Sequence, residues 1–301
     1  MKRIFIFILA SNLSMNALFS AQTGKTGLVF LKLGVDARAL GLGETYTAFT
    51  NTPAGTYYNP ASISNTSDLQ LLIMHKEWIQ DTKVEFISAI TSFKNLSFGL
   101  SINSTRMENI EIRTKPGPPI GTFDAQNAAV GLTTSYNLDS KFYFGLTTKI
   151  LYEKIYVDEA TGYSFDFGGI YSTTWGTNIG LSIKNVGKMN KLENEVTNIP
   201  TSIRLGGVHK IYLMNNDAAL SLASDVVSFT KEKETHLHLG TEFAYRNTIA
   251  VRFGYQTGYE SRNFSAGIGF EYKMFRLDYA FIPFRYDFGS THTFSLGILF
   301  D

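Results

Sequence analysis

The sequence predicts an all-β protein: a transmembrane antiparallel β-barrel of about 14 strands with an N-terminal hatch segment in the lumen. Three observations carry that expectation. In the closing stretch, 290–301, Phe294, Leu296, Ile298 and Phe300 fall on one face and Thr293, Ser295 and Gly297 on the other. The last strand of an outer-membrane barrel needs this pattern, because it shows lipid on one side and lumen on the other and seals against the first strand. Second, runs of the same kind recur from Leu69 onward, and the links between them alternate short and long. Third, with 14% aromatic and 18% charged residues in 301, the chain is aromatic-rich and charge-poor beside an ordinary soluble domain. Past the first residues, no apolar run approaches the ~20 residues that a membrane-spanning helix requires.

The chain opens on what reads as a secretory signal, 1–21. Lys2 and Arg3 supply the charged start, 4–10 the apolar run, and a cut after Ala21 is the expected site. A net charge of +1 gives no reason to expect a nucleic-acid partner. The absence of cysteine rules out disulfides, thiolate metal sites and a cysteine nucleophile.

Residues 22–68 differ from all that follows. They carry G-V-D-A-R-A-L-G-L-G-E-T-Y-T-A-F-T over 34–50 and T-P-A-G-T-Y-Y-N-P-A-S over 52–62. Ala37, Ala39, Gly41 and Gly43 permit close backbone packing, and Asn59-Pro60 signals a turn. Such a segment suits a compact lumen insert better than a lipid-facing strand.

The barrel itself is read over 69–301. Its strands are expected at 69–77, 83–93, 95–103, 126–137, 141–153, 163–173, 177–185, 201–213, 218–228, 235–245, 248–256, 263–272, 275–282 and 291–300. Tight links fall at 94–95, 138–140, 174–176, 214–217, 246–247 and 273–274. Longer ones fall at 104–123, 154–162, 186–200, 229–234, 257–262 and 283–290. That rhythm is expected when one end faces the periplasm and the other the outside. Tyr136, Phe142, Tyr152, Tyr163, Trp175, Tyr245, Tyr255, Tyr272 and Phe300 lie near strand ends, where an interfacial girdle would sit.

The chemistry-bearing residues point to structure more than to catalysis. His236 and His238 share a face with Gly240 and Glu242, but no third ligand stands nearby, so lumen polarity is the expected role. No G-x-S-x-G elbow appears, and the glycines of G-L-G-E lack phosphate-loop spacing. No enzyme activity, metal or cofactor is expected. Lys149, Asp166, Lys184, Arg204, Asp225, Arg252 and Glu271 are read as inward-facing. Their mixed signs favour cross-lumen pairs that hold a hatch over a single-sign ion filter.

In its N-terminal motifs the chain resembles the PorV/PorQ group of Bacteroidetes-type outer-membrane proteins, within the FadL-like barrel superfamily. Arg38, Gly41 and Gly43 match that group's A-R-x-x-G-x-G stretch, and Asn59, Pro60 and Ala61 match its N-P-A motif. The resemblance implies a 14-stranded barrel in the outer membrane of a Gram-negative bacterium, with a hatch in its lumen and outer-membrane lipid around it. It also implies a non-catalytic component of type IX-like protein secretion, which would bind a partner protein, either a secretion translocon or a secreted protein. Lys115, Pro116, Gly117, Pro118 and Pro119 form a stiffened loop suited to docking such a partner. The alternative is a FadL-like passive channel for hydrophobic small molecules, which predicts an apolar pocket between hatch and wall.

Overall fold

The first and last strands meet. β1 (Gln70–Glu77) pairs antiparallel with β16 (Ser290–Leu299), from Gln70 opposite Leu299 to Glu77 opposite His292. The ring is completed by β2 (Lys83–Phe93), β3 (Leu96–Ile112), β4 (Gly121–Asn137), β5 (Phe142–Ile155), β6 (Asp158–Ser172) and β7 (Thr177–Met189). It continues through β10 (Ser202–Leu213), β11 (Ala218–Phe229), β12 (Glu234–Tyr245), β13 (Ile249–Gln256), β14 (Phe264–Tyr272) and β15 (Phe275–Pro283). Fourteen strands therefore close a barrel without a free edge. A small hairpin, β8 (Lys191–Leu192) with β9 (Glu195–Val196), sits in the link between β7 and β10. This computed structural model describes residues 26–300 apart from 65, 67 and 194. The expected signal and the first residues of the expected hatch lie outside the described residues.

The two-residue rhythm sorts the wall as the sequence predicts. In β16 Thr293 and Ser295 are buried while Phe294 is 57% exposed, and in β3 Ser97, Ser101 and Asn103 face in while Phe98, Leu100 and Ile102 face out. Outward apolar side chains such as Ile87, Leu132, Phe144, Leu181, Leu205, Phe253 and Ile268 follow one another around the barrel. An apolar shell of that extent is a surface for hydrocarbon, not for water. Tight turns collect at one end, where Arg246 (φ 50) and Asn247 (φ 51) take the left-handed pair that matches strand twist.

The structure corrects three of the expected links, and in the one read over 186–200 the first four residues, 186–189, belong to β7 and pair with β6. Residues 104–112 and 121–123 belong to strands, as do 154–155 and 158–162, so the β3–β4 and β5–β6 ribbons continue beyond the lipid-facing band. Apolar alternation marks where lipid begins and ends, whereas backbone pairing goes on while both faces meet water. Polar pairs knit this part of the ribbon: Arg106 reaches Asp124 at 3.2 Å and Glu108 at 3.1 Å. At the bulge between Met107 and Ile110 the Asn109 amide donates to Asp124 Oδ1 (3.1 Å).

The core lies inside the barrel. The leader contributes a 3-10 turn (Val29–Lys32), α1 (Ala37–Gly41), α2 (Gly55–Tyr58) and a second 3-10 turn (Pro60–Ile63). Leu28, Phe30, Leu31, Leu33 and Val35 form one buried apolar cluster with Tyr46, Phe49, Tyr57 and Tyr58 and with the inward wall residues Leu72, Met74, Val84, Phe86 and Leu151.

Candidate functional site

The hatch sits on glycine. Gly145 and Gly168 stand directly opposite each other in the β5–β6 ladder, Gly180 and Gly206 in β7–β10, and Gly240 and Gly254 in β12–β13. Hatch backbone fills the space at Gly145, Gly180, Gly240 and Gly254, while the Asn59 side chain fills it at Gly168 and the Asp225 side chain at Gly206. A Cβ on Gly145 would run into the Pro60–Ala61 peptide, one on Gly180 into Thr47 O, one on Gly254 into Gly43 N, and one on Gly240 would lie 2.5 Å from Leu42 O. Gly43 itself holds a left-handed φ of 65, and a Cβ on Gly41 would lie 3.0 Å from Gly267 Cα. Asn59 ties this layer together: its Oδ1 accepts from Ala61 N (3.1 Å), and its Nδ2 donates to Thr47 O (2.7 Å) and Gly169 O (3.3 Å). The structure thus seats the two motifs on different arcs of the wall: Gly41 and Gly43 lie against β12–β14 with Arg38 on Glu242, and Asn59, Pro60 and Ala61 lie against β5 and β6.

Charge locks the seat. Arg38 grips Glu242 through both oxygens (2.7 and 2.9 Å), and Arg252 joins Glu242 (2.6 Å) to Asp278 (2.7 Å). Arg204 donates to Glu44 O (2.5 Å) and pairs with Asp225 (3.2 Å). Asp225 also accepts from Tyr46 N and Thr47 N (both 3.1 Å) and from Thr47 Oγ1 (2.5 Å). Lys149 pairs with Asp166 at 2.8 Å, and Lys184 Nζ stands 3.6 Å from the centre of the Tyr57 ring. The inward charges read from the sequence are buried, except Glu271, which is half-buried at the short-turn mouth. Sequence reading missed Glu44, Lys76, Arg262, Arg276 and Asp278, although strand parity alone would have placed Arg276 and Asp278 with Ala280 on the inner face.

Burial pushes the Glu44 carboxyl up, but the nearby charges of Arg262 and Arg204 outweigh it and hold the group below its usual range. His236 stacks on Tyr259 (ring centres 4.0 Å apart), and His238 meets Gln256 Nε2 (3.3 Å) and Tyr259 OH (3.4 Å). Among the described residues no group of three or more His, Cys, Asp or Glu side chains is placed to hold a metal.

Upstream of the seat, 26–35 form a strap at the long-link end that is held differently. Its apolar side chains occupy the chamber walled by Leu72, Met74, Val84, Phe86 and Leu151. Its polar ties to the rest of the protein are Gly27 N to Asn198 O (3.0 Å), Lys32 to Glu232 (2.5 Å), Thr26 to Glu232, Lys76 to Gly34 O (2.7 Å), Tyr57 OH to Leu31 O (2.8 Å), and, at Val35, its N–H to Tyr58 OH (3.2 Å) and Tyr58 OH to its carbonyl (2.9 Å). Lys115, Pro116, Gly117, Pro118 and Pro119 lie elsewhere, exposed at the tip of the β3–β4 ribbon, and a Cβ on Gly117 would meet nothing within 4 Å.

Fold and site together define a class: a fourteen-stranded antiparallel barrel with a lipid-type exterior, its lumen occupied by its own N-terminal segment. Residues 9–155 match the model of an uncharacterised protein family, UPF0164. The toluene transporter TbuX of Ralstonia pickettii has a similar structure, with TM-score 0.61 and 12% identity over 89% of this chain and 99% of that one. The toluene transporter TodX of P. putida has TM-score 0.60 and 13% identity over 89% and 99%. A FadL homologue of Pseudomonas aeruginosa has TM-score 0.59 and 13% identity over 89% and 98%. At such identities the likeness is one of fold. No curated protein matches the chain in sequence.

Proposed function

We propose that the protein is a non-catalytic channel of FadL type in a Gram-negative outer membrane, admitting hydrophobic small molecules. The observation that carries this reading is the apolar chamber between hatch and wall, filled by Leu28, Phe30, Leu31, Leu33 and Val35 of the chain itself. A hydrophobic solute that displaces the strap would find the same buried surface, while the glycine-seated layer stays in place. The fold likeness to toluene transporters supports this alternative over the secretion role implied by the motif wording.

A designed lock tests it. A Cβ on Gly27 would lie 3.6 Å from Thr197 Cβ, within the range a disulfide spans. In oxidised Gly27→Cys/Thr197→Cys protein, uptake of toluene into proteoliposomes should fall to the level of empty vesicles, and reductant should restore it. Undiminished uptake through the locked barrel would refute the reading.

The type IX-like secretion reading, with a translocon or secreted protein as partner, keeps one structural support. The β3–β4 ribbon carries the Lys115–Pro119 stretch and an exposed Ile120 (70%) beyond the barrel.

A further inference from the structure

The short-turn mouth of the barrel holds a cavity of about 220 Å3 between α1 and the β10–β15 wall, with Asn247 and Thr248 of the β12–β13 turn at its rim. Four cations line it, Arg38, Lys210, Arg252 and Arg276, against three carboxylates, Glu242, Glu271 and Asp278. Two of those carboxylates are already satisfied. Glu242 takes Arg38 on both oxygens and Arg252 on one, and Asp278 takes Arg252 on Oδ1 and Arg276 Nε on Oδ2 (3.0 Å).

The donors are not satisfied. Among the described residues no hydrogen-bond acceptor or ion-pair partner meets Arg38 Nη1, the two terminal nitrogens of Arg276, or Lys210 Nζ. Asp36, buried at the start of α1, is the other carboxylate near Arg276, and it comes within ion-pair distance of none of these donors. The side chains of Arg38 and Arg276 are 23% and 13% exposed, so a ligand from the aqueous side can reach them.

From this geometry we infer that the mouth binds a small organic monocarboxylate, held by Arg38, Arg276 and Lys210. A guanidinium fork matches the two oxygens of a carboxylate, and the compact lysine ammonium adds a charge at the rim. Ala219, Ala244, Ala250 and Ile249 offer surface for a short apolar body. Glu271, with no partner among the described residues, disfavours a second negative charge, so dianions are excluded by repulsion. The site does not depend on whether solutes cross the lumen.

The test uses the full chain, folded in detergent micelles and titrated with benzoate, with binding followed by ligand-observed NMR. The wild type should saturate at millimolar benzoate, with neutral benzamide failing to compete. Arg276→Gln should weaken binding about tenfold or more, as expected for loss of a charged hydrogen-bond donor. Glu271→Gln should admit succinate as a competitor. Heat-modifiable gel mobility reports folding. Should Arg276→Gln misfold for want of its tie to Asp278, Lys210→Gln carries the same test, since that side chain has no polar partner among the described residues. Absence of saturable binding, equal competition by benzamide, or unchanged affinity in every folded variant would each overturn the site.

Discussion

Gly168 of β6 and Asn59 of the hatch share a space with no room for a methyl group: a Cβ on Gly168 would overlap Asn59 Oδ1. The equivalent obstacle at Gly145, directly across the ladder, is the Pro60–Ala61 backbone. One obstacle is a side chain and the other is not, and this separates two variants that look alike in sequence.

Gly168→Ala and Gly145→Ala should each destabilise the seated hatch by about 1–3 kcal/mol, the usual cost of overpacking. Asn59→Ala should recover part of the loss in Gly168→Ala, although it forfeits the cap on Ala61 N and the bond to Thr47 O. It should recover nothing in Gly145→Ala. Tryptic cleavage after Arg38 in the folded barrel measures hatch release, and equal rescue of both variants would contradict the seat described above.

Asp225 is the most heavily used wall carboxylate, receiving two hatch amides, the Thr47 hydroxyl and Arg204. Asp225→Ala leaves the Thr47 amide without an acceptor and the buried Arg204 guanidinium without its counter-charge, although Arg204 keeps Glu44 O and Thr47 Oγ1, a loss of about 3–5 kcal/mol. The outer ladder does not depend on it. The variant should therefore keep heat-modifiable barrel mobility while its hatch becomes protease-sensitive, as seen by urea titration in detergent with cleavage after Arg38 as readout.

Much of this wall was legible because lipid and water impose opposite chemistry on neighbouring residues. Phe294 and Thr293, or Phe98 and Ser97, declare their faces at once. The glycine seat was not legible: nothing in the sequence marks Gly168, Gly180 or Gly206, and only the register reveals that Gly145 and Gly168, Gly180 and Gly206, and Gly240 and Gly254 stand opposite each other. The ribbons beyond the lipid were also missed, since Arg106 and Asp124 alternate without an apolar partner face. In the hatch, the motif residues were legible as part of the lumen insert, but their partners Glu242, Asp225 and Arg204 come from strands more than a hundred residues away.

At the ribbon tip, replacing Pro116, Pro118 and Pro119 together with serine should leave barrel stability within about 0.5 kcal/mol, because these side chains are exposed and away from the core. If the secretion reading holds, the same variant should lower the amount of exported protein recovered from the medium without changing barrel abundance. Unchanged export would remove the remaining structural support for that reading.

The strap should loosen in acid, and the direction follows from Glu232. Burial pushes its carboxyl up, but hydrogen bonds from Lys32 and Thr26 outweigh that and bring it below the ordinary value of 4.5. A group depressed in the folded state stabilises at every pH above its unfolded value and stops doing so as pH falls through its folded one. The tie is therefore intact at neutral pH, and its contribution declines only once pH falls below 4.5 and is lost as pH passes the lower folded value. Because the chain has no cysteine, Val29→Cys provides a unique spin-label site on a side chain that is 56% exposed and points away from the chamber. The label should be immobile at pH 7 and gain mobility below pH 4.5, whereas in Glu232→Gln it should be mobile already at pH 7 and respond less to acid. A label equally immobile in both proteins across that range would show that the apolar chamber, and not Glu232, holds the strap.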